Sequence, residues 1–289
     1  MYSMQATDIA FPNIGIYLSN VPKTINIFGF DVALYGIIIA FGMLMGFTLA
    51  GYVAKKEGMK TELVWDFAAP AIVFSICGAR IYYVATSWDR YKDNPVSIFY
   101  LREGGLAIYG GVIAAFITLY VYTRIKKVSF GALGDVLIAG LPLGQAIGRW
   151  GNFFNREAFG GYCNAFTAMK LPVNAVRARD ISEGIRANME AGADYILVHP
   201  TFLYESMYNL LLVIFLLWYR KKKHFDGEVF LLYVVCYGIG RFFIESLRTD
   251  QLFIPGTVIP ISMALGLLSA VAALVLIFIY RKKLKQNNN

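Results

Sequence analysis

The stretch Gly144-Gln145-Ala146-Ile147-Gly148-Arg149-Trp150-Gly151-Asn152-Phe153-Phe154-Asn155-Arg156-Glu157-Ala158-Phe159-Gly160-Gly161 ends an apolar run with hydrogen-bonding groups rather than with charge alone. Arg149 offers a planar fork of donors suited to an oxyanion, and Asn152, Asn155 and Glu157 can orient it or accept protons. The glycines let backbone approach a ligand closely and take left-handed conformations where these are needed. A second set lies nearer the C-terminus, where Tyr237, Arg241, Glu245 and Arg248 follow one another at spacings of four, four and three, which puts them on one face of a helix. Arg80, Tyr35, Tyr109 and the run His199-Pro200-Thr201-Phe202-Leu203-Tyr204-Glu205 complete the polar inventory of otherwise apolar segments. The chemistry these types suit is recognition of an anionic group by guanidinium, with carboxylate and phenol groups to orient it or move protons. The plain alternatives are snorkelling for Arg248, an ion pair that only staples helices for Arg80, and an interfacial aromatic belt for Tyr35 and Tyr109.

The elements that must position these groups are membrane spans. Hydrophobic residues make up 57% of the chain and charged residues 16%, against ~25% charged in an ordinary soluble domain. Crossing a ~30 Å hydrocarbon core takes about 20 helical residues, and runs of that kind fall at 32–54, 64–87, 105–124, 131–148, 201–219, 229–247 and 257–280. The fourth is short and interrupted by Asp135, Pro142 and glycines. The sequence therefore predicts an all-α polytopic membrane protein of seven transmembrane helices, with residues 1–31 as an external interfacial arm, 149–200 as a signature loop and small external head, and 281–289 as a tail. Within the head, 172–193 reads as a polar surface helix, and the Gln286–Asn289 end reads as disordered.

A net charge of +8 does not point to nucleic acid, because the basic residues cluster at the ends of apolar runs. Lys55, Lys56 and Lys60, then Arg124, Lys126 and Lys127, then Arg220–Lys223, then Arg281, Lys282, Lys283 and Lys285 all fall on one side of a seven-span chain. By the positive-inside bias that side is cytoplasmic, so the N-terminus is external and the C-terminus cytoplasmic. Residues 1–20 lack a basic segment followed by an apolar core, so no cleavable leader is expected. Three cysteines, Cys77, Cys163 and Cys236, suggest neither a disulfide framework nor a metal site.

Depth follows from orientation. Arg80, Arg149, Arg241, Glu205, Tyr35 and Tyr109 all fall toward the external half, whereas Asp66 and Asp135 sit near cytoplasmic helix ends and read as interfacial. An arginine at mid-membrane costs ~2.5–3.5 kcal/mol on insertion scales, so several at one depth call for an anionic partner. No ladder of carboxylates crosses the membrane, which counts against a lipid or small-anion transporter using the same arginines for binding only.

The segment Gly148–Gly160 closely resembles the signature of the bacterial prolipoprotein diacylglyceryl transferases. The resemblance is reinforced, in order, by Tyr35-Gly36, Gly78-Ala79-Arg80, Gly104-Gly105-Leu106-Ala107-Ile108-Tyr109-Gly110-Gly111, His199–Glu205 and Tyr237–Glu245, and it runs from about Tyr35 to Thr249. It implies a multi-pass protein of the bacterial cytoplasmic membrane, with its active site toward the outer leaflet. The implied reaction moves the diacylglyceryl group of phosphatidylglycerol to the lipobox cysteine of a preprolipoprotein, recognised through signal peptide and lipobox. The products are a thioether and glycerol 1-phosphate, and neither cofactor nor metal is implied. It further implies that Arg149 and Arg241 face the phosphate, that Asn152, Glu157 and Gly160 are the functional residues of the signature, and that Tyr35, Tyr237 and Glu245, with Arg80 and Asn155, form the substrate-binding shell. One position departs from the family: where many members have a histidine, this chain has Tyr109. A tyrosine, ordinarily ionising near ~10, is a poor base at neutral pH, so either Tyr109 orients the headgroup and a carboxylate such as Glu157 or Glu245 takes the thiol proton, or its own ionisation is strongly perturbed.

Overall fold

The computed structural model describes residues 5–101 and 104–287. Residues 1–4 of the expected arm and Asn288 and Asn289 of the expected disordered end lie outside the described residues. Helices α1 (Leu34–Lys56), α2 (Glu62–Thr86), α3 (Ile108–Lys126) and α4 (Phe130–Asn155) are followed by the short α5 (Glu183–Ala187), then α6 (Thr201–Tyr219), α7 (Glu228–Leu247) and α8 (Ile261–Asn287). Among the described residues, seven of these, all but α5, are long and apolar enough to cross a membrane. Among the described residues there are six strands: β1 (Ile9–Phe11), β2 (Ile16–Leu18), β3 (Thr24–Ile27) and β4 (Phe30–Ala33) before α1, and β5 (Met169–Pro172) and β6 (Tyr195–Val198) between α4 and α6.

The structure differs from the sequence reading in four places. The fourth span does not stop at 148 but continues as helix to Asn155, carrying Arg149 and Asn152 on it. The arm is two β-hairpins, the first of which joins the sheet of the head. Residues 172–193 form turns, single-turn helices and the five-residue α5 rather than one surface helix. Gln286 and Asn287 remain helical.

The chain divides into two compact units, residues 1–46 with 139–289, and residues 47–138. In the first, α1 crosses α4 where Gly42 faces Gly144 and Gly46 faces Gly140, and α7 crosses α8 at Gly238 and Gly266. A Cβ built at Gly140 would lie 2.0 Å from Gly46 O, so these backbones approach as only small residues allow in a membrane helix pair. The head is a four-stranded antiparallel sheet in the order β2-β1-β5-β6, with Ile9 opposite Leu18 and Met169 opposite Val198. Ile9, Phe159, Leu171, Ile185, Ile196 and Val198 are almost wholly buried in its core together with Phe153 of α4 and Phe202 of α6, so the head is packed onto the helix ends that carry the signature. The hairpin β3–β4 turns at Phe28-Gly29 and runs directly into α1.

In the second unit α2 packs on α3, with Gly78 against Gly110 at the crossing. Phe67, Leu119, Tyr122 and Leu133 form its core. Asp66 pairs with Lys126 at 2.9 Å at an exposed position. Asp135, five residues after the start of α4, is fully buried.

Candidate functional site

The end of α4 is held against α1 by glycines placed for packing. A Cβ at Gly151 would stand 2.7 Å from the ring of Tyr35, and one at Gly148 would stand 3.1 Å from Ile39 Cδ1. Helix thus continues through a glycine-rich segment because its neighbours fill the missing side chains. One consequence is that Tyr35 lies on the same end of α4 as Arg149 and Asn152.

The centre of the arrangement is Glu205, buried in the first turns of α6. Arg149 Nη2 lies 2.6 Å from its Oε1, and Arg241 Nη1 lies 3.1 Å from its Oε2, so one carboxylate spans two guanidiniums from α4 and α7. Tyr237 OH donates to Glu205 Oε1 at 3.5 Å, and Tyr237 stacks on Tyr233, whose hydroxyl accepts from Gln145 Nε2 at 2.8 Å. One turn along α7, Glu245 Oε2 lies 2.5 Å from Arg241 Nη2, as the spacing of four predicted. Arg248 is paired: Nε and Nη2 bond Asp250 at 2.9 and 2.7 Å, and Nε lies 3.9 Å from Glu245. Burial pushes the Asp250 carboxyl up, but the bonds and charge of Arg248 outweigh it and hold it below the ordinary carboxylate range.

Asn152 links this cluster to the signature turn. Its Oδ1 accepts from Arg149 Nη1 at 3.4 Å, while its Nδ2 donates to Glu157 Oε1 at 3.2 Å. Asn155 Nδ2 donates to the same oxygen at 3.2 Å, and Arg177 of the head binds Oε2 at 3.1 Å. The turn itself takes left-handed backbone at Arg156 (φ 54°) and Ala158 (φ 57°), not at any of its glycines. What Gly160 supplies is close approach, because a Cβ there would meet His199 Cβ at 2.8 Å and Leu247 O at 2.9 Å. Its amide donates to His199 O at 2.9 Å, Gly161 donates to Leu247 O at 2.9 Å, and Thr201 Oγ1 donates to Ala158 O. The turn is therefore pinned between the start of α6 and the end of α7, the helices that bring in Glu205 and Arg241.

Eight of the residues singled out from sequence, Arg149, Asn152, Asn155, Glu157, Gly160, Tyr237, Arg241 and Glu245, meet in this one network, with Tyr35 packed against its α4 end. Arg80 and Tyr109 belong to the second unit. There Arg80 is buried and donates to four carbonyls of the segment before α3: Ile98 at 2.7 Å, Ser97 at 2.9 Å, Gly104 at 2.7 Å and Gly105 at 2.9 Å. That segment delivers the chain to Tyr109, the second residue of α3, which is half-buried. The sequence reading passed over Glu205 as a site residue and gave no role to Arg156. Glu205 had a usable signal, an acid one turn inside an apolar helix, which must be paired to be buried.

Known proteins resemble the chain over most of its length. The family model for prolipoprotein diacylglyceryl transferase matches residues 22–279. A phosphatidylglycerol–prolipoprotein diacylglyceryl transferase of Clostridioides difficile (strain 630) is 40% identical over 264 residues, covering 91% of this chain and 96% of the relative. One from Enterococcus faecalis (strain ATCC 700802 / V583) is 42% identical over 258 residues, covering 89% of each. A third, from Finegoldia magna (strain ATCC 29328 / DSM 20472 / WAL 2508), is 38% identical over 260 residues, covering 90% of this chain and 95% of the relative. A match of this extent makes this protein a member of the prolipoprotein diacylglyceryl transferase family.

Proposed function

We propose that this chain transfers the diacylglyceryl group of phosphatidylglycerol to the lipobox cysteine of a preprolipoprotein, giving a thioether and glycerol 1-phosphate. The observation that carries the reading is the pair Arg149 and Arg241 sharing Glu205. Two guanidiniums facing one acceptor from two helices form a ready clamp for a phosphate, whose oxygens take bidentate contacts of the same kind. Glu205 holds the clamp in shape until the headgroup phosphate takes over its contacts.

The thiol sulfur, once its proton has left, attacks the glyceryl carbon that bears the phosphate. A C–S bond forms, the C–O bond breaks, and its electron pair departs on the phosphate oxygen, where Arg149 and Arg241 stabilise the growing charge. Asn152 orients Arg149, and Glu157, with three donors on its two oxygens, orients Asn152, Asn155 and Arg177. Glu245 takes the proton in this scheme, since both of its cationic contacts run through Oε2 alone. Tyr35 and Tyr237 shape the pocket. With four of its five N–H groups committed to backbone, Arg80 acts by positioning the approach to Tyr109. Tyr109 orients the headgroup.

The alternating Lys/Arg bias supports cytoplasmic ends for α1, α3, α6 and α8, an external head and a site toward the outer leaflet of the cytoplasmic membrane. The test is release of water-soluble glycerol phosphate from headgroup-labelled phosphatidylglycerol by the purified chain. Release that requires a lipobox peptide supports transfer. Lipid binding or movement without release, peptide present, would leave the transporter reading in its place.

A further inference from the structure

The two hairpins that precede α1 have different surroundings. The first, β1–β2, joins the sheet of the head, whereas among the described residues the second, β3–β4, pairs with no further strand. Its register sets Ile25 opposite Val32 and Ile27 opposite Phe30, and sets Thr24 opposite Ala33 and Asn26 opposite Asp31. Directly opposed side chains share a face, and neighbours along a strand alternate between faces. One face of the ribbon is therefore wholly apolar. The other carries its polar groups, with Asn26 Nδ2 donating to Asp31 Oδ1 at 3.0 Å. On the apolar face Val32 is half-buried, but Ile25, Ile27 and Phe30 are exposed, Phe30 by 76%. A two-stranded ribbon with such a face in water is marginal, and the described residues do not cover it.

The tip is a second, independent observation. Phe28 and Gly29 form its two-residue turn, both in left-handed backbone with φ 51° and 86°. Turns of this kind favour Asn, Asp or Gly at both places, and a bulky side chain there is an outlier. Nothing inside the protein compensates Phe28, which is 98% exposed. A strained residue without an internal partner points to a partner outside.

The neighbour of the ribbon follows from α1. No residue separates the end of β4 at Ala33 from the start of α1 at Leu34, and Leu34 N donates to Lys23 O at 3.0 Å, tying the base of the ribbon to the first residue of a membrane span. The 23 residues of α1 rise about 34 Å, close to the ~30 Å of hydrocarbon they must cross. The ribbon thus starts at the edge of the hydrocarbon. A four-residue strand reaches about 13 Å, and the headgroup layer is roughly 5–8 Å deep. Standing upright, the ribbon would carry Phe28 through that layer into water. Laid over, it sets Ile25, Ile27, Phe28 and Phe30 on acyl chains and turns Asn26 and Asp31 to headgroups and water. Only the base is held by protein: Lys23 Nζ donates to Ala175 O of the head at 3.2 Å, and Arg156 Nη2, of the signature turn, donates to Val21 O at 2.6 Å.

We infer that the β3–β4 ribbon is a one-faced membrane anchor, whose apolar face and Phe28 tip enter the lipid beside the start of α1. Its partner is bilayer lipid. Anchored so, the ribbon fixes the height on the membrane of the α1 end that carries Tyr35 and, through Lys23 and Arg156, of the head and the signature turn. The inference depends on α1 being a span and is independent of the transferase reading.

The experiment uses the full-length chain in vesicles of phosphatidylcholine and phosphatidylglycerol, with and without bromine on the phosphatidylcholine acyl chains. Phe28→Trp and Phe30→Trp place a tryptophan on the apolar side, and Thr24→Trp and Asp31→Trp place one on the polar side. Emission from the native Trp65, Trp88, Trp150 and Trp218 is subtracted using the unaltered protein. At 28 and 30 the added tryptophan should emit to the blue and lose most of its emission to brominated lipid, and at 24 and 31 it should emit to the red and keep it. Asp31→Trp gives up the bond to Asn26, so Thr24→Trp carries the polar-face measurement if that variant does not fold. Phe28→Asn, a residue this turn favours, should weaken the quenching of Phe30→Trp because the tip has lost its hold. Red, unquenched emission at 28 and 30 would leave the ribbon in water, and blue, unquenched emission would put protein, such as a second copy of this chain, on its face. Either result overturns the anchor, as does equal quenching on both faces.

Discussion

Arg149 and Glu205 form a 2.6 Å ion pair that joins the signature helix to the first turns of α6, and Arg241 reaches the other oxygen of the same carboxylate at 3.1 Å. A carboxylate held between two guanidiniums competes with any phosphate for them. Replacing Glu205 by Gln keeps the shape and removes the competing charge. We expect glycerol phosphate to inhibit Glu205→Gln about ten- to a hundredfold more tightly than the unaltered protein, the scale of a charge-assisted contact, while kcat falls because the clamp is less well oriented. Arg241→Ala should lower kcat by ~10²–10³, the range for one lost oxyanion donor, in a protein that still folds because Arg149 continues to pair Glu205. Arg241→Lys should recover little of it, since a point charge cannot serve Glu205, Glu245 and a phosphate in a planar fork. Near-normal turnover in Arg241→Ala would reduce the cluster to a structural staple.

Gly160 and Gly161 are adjacent in sequence, yet only the first is crowded. A Cβ at Gly160 meets His199 Cβ, Leu247 O and Thr201 Cγ2 at 2.8, 2.9 and 3.2 Å, whereas nothing lies within 4 Å of one at Gly161, and neither residue has positive φ. Gly160→Ala should push the signature turn off the end of α7, costing ~1–3 kcal/mol of overpacking and at least tenfold in activity. Gly161→Ala should be close to neutral in thermal stability and turnover. Equal effects from the two would show that glycine's backbone freedom, not its size, matters here.

The seven spans were legible because length and apolarity suffice to mark a membrane helix, and the face shared by Tyr237, Arg241 and Glu245 followed from spacing alone. The head was not. Its strands are three or four residues long, too short to show alternation, and β1 pairs with β5 across about 160 residues of intervening chain. The extent of α4 was misjudged because Gly148 and Gly151 read as a loop until Ile39 and Tyr35 were seen to fill them. Arg80 is costly to bury by its type alone, but that backbone carbonyls, not another charge, satisfy it depends on a loop fold that residue types do not encode locally.

Asp250 gives the clamp's margin a pH signature. Its carboxyl, paired bidentately with Arg248, ionises below the ordinary value of ~3.9 in the folded chain. A depressed carboxyl contributes stability that is complete above the unfolded value and lost as pH falls through the folded one. Asp250→Asn should therefore cost ~1.5–3 kcal/mol near neutral pH, the range for bonds to a charged group. The difference from the unaltered protein should be flat above about pH 5 and shrink below about pH 4. Chemical unfolding in micelles across that range is the measurement, and a difference that persists unchanged into the acid range would assign the loss to packing.

The role of Tyr109 is decided by a pH profile rather than by a rate. Removing an orienting hydroxyl and removing a general base both lower the rate by ~10²-fold or more, so magnitude does not separate them. The acid limb of the kcat/KM profile reports the group that must be deprotonated in the free enzyme. With Glu245 as proton acceptor, Tyr109→Phe should lower the plateau by up to ~10²–10³ and leave the acid limb in place, whereas Glu245→Gln should abolish that limb. Tyr109→His should retain activity if, as the resemblance to the family implies, the position accommodates an imidazole. A Tyr109→Phe profile without an acid limb would make the tyrosine itself the base and remove that role from Glu245.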